Sequence, residues 1–277
     1  MGFDASAIRR MRRERDLFVG RDVLSLGLFK PYLLKSQVEK MALRRHYSGG
    51  ESKDFASSFL RHELGVRSVS SLDVDSYQGA DIVCNLNKDL DPDLNSKYDL
   101  ILDLGTLEHL SDFSIAFRNI FQLLRPGGIY YFAVPCNNWM NHGFFQISPT
   151  FFVDLCACND SLYGRNFCVM GGSMEVPFES YDKYVARAFM KARVPLVFGG
   201  YIVKEGSDIN LDLVQSKYRS SYTRPLTAPS EKTPMNNRRA RPKWRNALSK
   251  FPGLPLSVRL SLLLGFNNQH ADETRSL

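Results

Sequence analysis

The chain has 277 residues, 44% of them apolar and 23% charged, with a formal net charge of +7. That length accommodates one large α/β domain with appendages, or two small domains, and the composition is that of an ordinary soluble globular protein. No apolar run approaches the roughly 20 residues that a bilayer-spanning helix needs, and "MGFDASAIRRMRRERD" lacks the apolar stretch of a secretory signal, so the expected location is cytoplasmic.

In chain order, Ile8, Met11 and Phe18 have helical spacing, which predicts a basic amphipathic helix over 1–18 packed by one narrow face. "DVLSLGLF" (22–29) reads as a first buried strand ending at Gly27, and "LLKSQVEKMALRRHY" (33–47) as helical. "GGES" breaks the chain, and "KDFASSFLRHELG" (53–65) predicts a helix with Gly65 as its C-cap. Further strands are expected at "SVSSLDV" (68–74), "ADIVCNL" (80–86) and "YDLILDL" (98–104). The helix "SDFSIAFRNIFQLL" (111–124) is stopped by Pro126-Gly127-Gly128, and "IYYFAVP" (129–135) is a fifth strand. Ser148 and Pro149 read as the cap and first turn of a short helix, "TFFVDLCAC" (150–158). "NFCVMGG" (166–172), a helix over 180–192 and "PLVFGGYIVKEG" (195–206) complete a domain spanning 19–214, with 30–50 as an insertion or lid. Continuous apolar strands are those of a parallel sheet covered on both faces.

Beyond residue 214 the composition shifts to Pro, Ser, Thr, Asn and Arg, which predicts a basic tail with little packed structure over 215–277. From Lys217 to Lys250 ten Lys or Arg residues face one acid, and "IRRMRRERD" near the start is equally basic. Such asymmetry points to an anionic partner outside the core or to solvated tails. "LPLSVRLSLLLGF" (254–266) beside the cationic run leaves peripheral membrane contact open. Nucleic acid is disfavoured, because interleaved aromatics and a recognisable binding module are missing. The five cysteines are odd in number and do not form a disulfide framework, and Cys156-Ala157-Cys158 lacks zinc-site spacing, so no metal is expected.

In an open α/β sheet ligands lie beyond the carboxyl ends of the strands, where the order reverses. The residues there are Gly27, Asp73 and Asp75, Asn85 and Asn87, the run from Asp103 to His109, and Pro135 onward. "YDLILDLGTLEHL…FRNIFQLLRPGGIYYFAVP" resembles the fourth-to-fifth-strand segment of class I S-adenosylmethionine-dependent methyltransferases, with its "LEH" turn and "L-x-PGG" stop. "NNWMNHGFFQISPTFF" resembles a branch of that family carrying an "HGF(F/Y)Q-x-SP" element, met in surface-polysaccharide and secondary-metabolite settings. The resemblance implies a Rossmann-like class I methyltransferase fold, with a seven-stranded, mostly parallel sheet and helices on both faces. One departure is that the G-x-G turn expected after the first strand is reduced to Gly27.

Carried over to this chain, the resemblance implies S-adenosyl-L-methionine as cofactor. Gly27, Asp103, Leu104 and Gly105 would face its methionine end, Asp73 its ribose hydroxyls, and Asn85 and Leu86 its adenine. A small acceptor, sugar-linked or anionic, would meet Glu108, Trp139, Asn141, Phe144 and Phe145. If it reacts through a hydroxyl, a base is needed; His142 is the first candidate and His109 the second. Plain structural roles stand beside these: Glu108 and His109 opening a helix, His142 satisfying loop carbonyls, Asp103 capping amides, and the aromatics as packing. O-methylation of a sugar or secondary metabolite is the expected activity. The alternatives are a catalytically silent Rossmann-like binding module and, third, a nucleotide-dependent oxidoreductase, which the missing G-x-G-x-x-G loop disfavours. The oligomeric state stays open.

Overall fold

The computed structural model describes residues 2–46, 52–172, 174–178, 194–206, 209–211 and 213. The chain divides into two compact units, Met1–Arg224 and Pro225–Leu277. The second unit, the helix expected at 180–192 and the whole of the basic tail (215–277) lie outside the described residues.

Side chains of a strand point alternately to opposite faces, and here both faces are apolar. In β2 (Asp22–Leu26), β6 (Tyr98–Asp103) and β7 (Leu124–Asn137), one set comprises Val23, Leu100, Leu102, Ile129 and Tyr131. It packs against α1 (Ala5–Arg13) and α3 (Ser52–His62), chiefly through Ile8, Met11, Phe59 and Leu60. The opposite set, including Leu24, Leu26, Ile101, Tyr130 and Phe132, packs against α4 (Phe113–Leu123) and α5 (Pro149–Ala157). The helices therefore cover both faces, as the continuous apolar strands imply.

The remaining strands of the main sheet are β4 (Ser68–Asp73), β5 (Ile82–Val83), β8 (Leu162–Gly171), β9 (Met174–Pro177) and β10 (Leu196–Lys204). The order is β5-β4-β2-β6-β7-β10-β8-β9. The pairs from β5 to β7 are parallel, whereas β10 runs antiparallel to both β7 and β8. The expected seven strands thus gain an eighth, because β9 folds back on β8 as an edge hairpin. From β2 the chain steps outward through β4 and β5, then returns to place β6 and β7 on the other side. The switch point lies between β2 and β6.

Three boundaries differ from expectation. The helix read over 33–47 is only α2 (Lys35–Lys40) and a short 3-10 turn over Arg44–His46, because Ala42 takes φ +54, a left-handed conformation that breaks an α-helix. The third strand shrinks to two residues, since Asn85 Oδ1 accepts from Asn87 N (3.0 Å) and turns the chain. Pro126-Gly127-Gly128 does end α4, but as part of β7 and not as a loop before it. Tyr98 pairs with Leu124 and Leu100 with Ile129, so the extra β7 residues form a bulge that tolerates a proline and Gly127 at φ +78. Ser148 does cap α5, accepting from Thr150 N at 3.3 Å with Pro149 in the first turn.

The N-terminal helix is no solvated basic appendage. Asp4 caps it, accepting from Ala7 N at 2.7 Å. Its arginines are used inside the molecule, Arg10 with Glu14 (3.1 Å) and Arg12 with Glu63 (3.0 Å). Before it, β1 (Phe3–Asp4) pairs in parallel with β3 (Pro31–Tyr32), so the segment read as an insertion is stitched to the start of the chain. No helix of the described residues is long and apolar enough to cross a membrane. All five cysteines are free thiols.

Candidate active site

The turn after β6 is built on Asp103, whose carboxylate is fully buried. It accepts from Gly105 N (3.1 Å), Thr106 N (2.8 Å) and the Tyr130 hydroxyl (2.7 Å). Burial pushes its pKa up, opposed by those donors. Asp103 thus holds the turn from beneath, the plain alternative read from sequence, while Gly105 takes φ +98 to let the chain reverse. Thr106 Oγ1 donates to Leu26 O at 2.7 Å, which ties the end of β6 to the end of β2 at the switch point.

The next three residues, Leu107–His109, form a 3-10 turn that carries Glu108 inward. Its side chain is wholly buried, and neither carboxylate oxygen has a hydrogen-bond partner. Burial, with the Asp103 carboxylate adding, pushes its pKa up to about 8. The loop after β7 closes over it: Phe144 N (2.8 Å) and Phe145 N (3.2 Å) donate to Glu108 O. A Cβ on Gly143 would lie 2.8 Å from that same oxygen, so only glycine lets the loop approach. The "LEH" turn and the "HGFF" element are therefore two halves of one structure.

That approach brings His142 to the carboxylate. His142 Nε2 lies 3.4 Å from Glu108 Oε1 without hydrogen-bond geometry, and it too is buried and unpartnered. His109 Nε2 lies 3.9 Å from the same oxygen, the two imidazoles packing edge to face at 5.0 Å. Burial lowers both histidine pKa values. Trp139 packs on His142 at 4.7 Å and is held by Nε1 donating to Leu196 O (2.9 Å).

His142 and Trp139 border a cavity of about 490 Å³. Leu104 forms its edge toward the switch point, Tyr131, Phe132 and Met170 supply apolar wall, and Arg10 and Tyr32 come from the N-terminal part of the chain. Sequence reasoning missed those last two. Arg10 is 2% exposed, because its guanidinium donates to Asn166 O (2.8 Å), Cys168 Sγ (2.9 Å) and Glu14. Asn166 and Cys168 are too distant in sequence to leave a local signal.

Of the acceptor candidates, Trp139 and His142 line this cavity, and Glu108 lies behind His142. Phe144 is 71% exposed and Phe145 packs edge-on against Phe113 (5.8 Å), while Asn141 is an exposed turn residue at φ +61. These three are not part of the cavity wall. They stand outside because the Glu108 carbonyl pins the loop just after Gly143.

The cofactor candidates lie on neighbouring strand ends. Leu26 pairs with Leu72 and Asp73 with Val83, so Gly27, Asp73 and Asn85 follow one another along the carboxyl ends of β2, β4 and β5. Gly27 takes φ +77 with Thr106 Oγ1 only 3.3 Å from where a Cβ would be, a close backbone approach kept without a second glycine. Asp73 is half-buried and accepts from Val74 N (2.7 Å), so its carboxylate retains acceptor capacity for a diol. Asn85 Oδ1, by contrast, is engaged within its own turn, accepting from Asn87 N (3.0 Å) and Asn87 Nδ2 (3.3 Å), so its Nδ2 is the group left to a ligand. Gly27, Asp73 and Asn85 do not line the 490 Å³ cavity. Leu86 is corrected to a core residue, 3% exposed among Leu72 and Ile101, because Asn119 Nδ2 grips its carbonyl (2.9 Å) and turns the side chain inward.

Strand ends at a switch point, beside an apolar cavity lined by His142 with the buried Glu108 behind it, are where an α/β fold of this kind takes its ligands. Residues 37–197, over half of the chain, match the family model described as a methyltransferase domain, and the chain belongs to that family. Its fold is the class I methyltransferase fold, and S-adenosyl-L-methionine is the cofactor this membership implies. Among solved structures the chain is similar to the 1,6-didemethyltoxoflavin-N1-methyltransferase of Burkholderia thailandensis, solved with 1,6-didemethyltoxoflavin and S-adenosylhomocysteine bound. The identity is 15%, over 73% of this chain and 80% of that one, at a TM-score of 0.42. It is also similar to a SAM-dependent methyltransferase of Aquifex aeolicus, with 15% identity over 73% and 99% of the two chains and a TM-score of 0.39. No curated protein matches the sequence.

Proposed function

We propose that the protein methylates a hydroxyl of a small acceptor, a ring-bearing secondary metabolite or sugar conjugate, held in the 490 Å³ cavity. The observation that carries this reading is the position of that cavity. It meets the switch-point end of the sheet at Leu104 and the imidazole of His142 at its rim, and its aromatic wall suits a ring with an apolar face better than a bare sugar.

In this reading S-adenosyl-L-methionine, when bound, supplies an activated sulfonium methyl. The task of the chain is to hold two reactants in line, which is where such a reaction gains most. Asp73 accepts the ribose hydroxyls, Gly27 and Gly105 allow backbone to approach, and Asn85 offers an amide beyond them. His142 and His109 act at the acceptor's reacting oxygen. Trp139 holds the ring of His142 and closes the cavity behind it.

Calorimetry with S-adenosyl-L-methionine and with S-adenosylhomocysteine tests the reading. Micromolar binding of both is expected. Asp73→Ala should weaken it about tenfold or more, the value of hydrogen bonds to a charged acceptor. Silence with both compounds would favour a binding module that has lost catalysis.

A further inference from the structure

Two features of the buried acid are unexplained by methyl transfer alone. Glu108 is completely enclosed, yet both of its oxygens lack a donor, and His142 Nε2 beside it lacks a partner as well. Burying an ionisable carboxylate without a donor or a counter-charge is strongly unfavourable. A group that the fold encloses and then leaves unsatisfied is shaped for something that binds there.

We infer that Glu108, His109 and His142 form a binding site for a divalent transition-metal cation at the rim of the acceptor cavity. One ligand atom from each lies within 4.8 Å of the others, and Glu108 Oε1 is already 3.4 Å from His142 Nε2 and 3.9 Å from His109 Nε2. A cation with bonds of about 2.1 Å holds neighbouring ligands about 3.0–3.4 Å apart, so a small closure of the two rings completes the set. Two imidazoles and one carboxylate on one side of a metal suit iron, manganese, cobalt or zinc more than magnesium or calcium, and leave coordination positions open. The local fold holds this set together. Gly143 lets the loop after β7 descend onto the "LEH" turn, Phe144 N and Phe145 N fasten it to Glu108 O, and Trp139 orients the ring of His142. None of the cysteines, whose spacing predicts no metal, takes part.

The purpose of the site rests on the methyl-transfer reading; its geometry does not. The open positions take the acceptor's hydroxyl oxygen, and its proton passes to water past the exposed His109. The O–C bond forms as the donor's C–S bond breaks, and that electron pair stays on sulfur. A cation there makes the oxygen a better nucleophile near neutral pH.

The test is titration of the full-length, chelator-treated protein with Co²⁺, followed by calorimetry and by the visible absorption of the bound ion. One equivalent per chain is expected, and Glu108→Gln and His109→Ala should each weaken it by about tenfold or more. His109 is half-exposed, so His109→Ala keeps the test valid even if Glu108→Gln does not fold. No binding of Co²⁺, or binding that His109→Ala leaves unchanged, overturns the inference. S-adenosylhomocysteine binding measured with chelator present reports separately on the methyl-transfer reading, so either can fail alone.

Discussion

Gly143 shows how one residue type can decide a site. Its backbone is ordinary, but a β-carbon there would sit 2.8 Å from Glu108 O and 3.0 Å from Glu108 Cγ. Backbone cannot yield as a flexible side chain can, so Gly143→Ala should lift the loop and cost about 1–3 kcal/mol, the usual range for overpacking. Thermal unfolding of the variant measures it, and an unchanged midpoint would show that the loop has slack. Glu108 and His142 were legible in the sequence as polar residues beyond strand ends. Their meeting was not, because 33 residues separate them and two backbone hydrogen bonds to Glu108 O bring them together. Leu86 was misread for a similar reason: a strand-end position says where a residue lies, but Asn119 from α4 decides which way it points.

At the scale of elements, α1 and α3 are joined through Glu63, the residue following α3. Its carboxylate accepts from Arg12 Nε (3.0 Å), from Arg45 and from the buried His46 ring (3.1 Å). These donors outweigh burial and hold its pKa down to about 2. A carboxylate whose pKa falls on folding adds stability above its unfolded pKa of about 4.3, and loses it as pH drops toward the folded value. The expected contribution at neutral pH is on the order of 2–3 kcal/mol. Glu63→Gln should therefore lower stability at pH 7 and flatten its fall between about pH 4.3 and 2. Urea denaturation at a series of pH values checks both parts, and a parallel acid limb in the variant would refute the assignment. Apolar periodicity made α3, α4, β4 and β6 readable. The short elements β3 and β5 carry too few residues for a period, and the turn at Asn85 ends β5 as the left-handed Ala42 breaks the helical run after α2. The proline bulge in β7 also defeats a local reading, since a stop signal for one element lies inside the next.

Across the described part of the molecule, one sheet separates two apolar cores, and the first eighteen residues belong to one of them. Phe3, Ile8, Met11 and Phe18 are all fully buried in the core that contains Leu100, Leu102 and Tyr131. Phe3 meets the rings of Phe55 (6.0 Å) and Phe59 (5.6 Å), and Phe18 meets that of Tyr131 (5.2 Å). The sequence reading has this helix packed by one narrow face and leaves its charge to an anionic partner or to solvent. Arg10, Arg12, Arg13 and Arg15 in fact answer acids and carbonyls within the fold, and Arg10 reaches β8 to finish the cavity wall. Removing 1–18 would strip four large buried side chains, each worth about 1.5–3 kcal/mol of burial, from a domain whose whole stability is about 5–15 kcal/mol. The protein lacking those residues should lose its cooperative unfolding transition and expose apolar surface to a dye such as ANS. A truncated chain that melts sharply at the full-length midpoint would restore the helix to the role of an independent appendage, and with it the search for an anionic partner at that end.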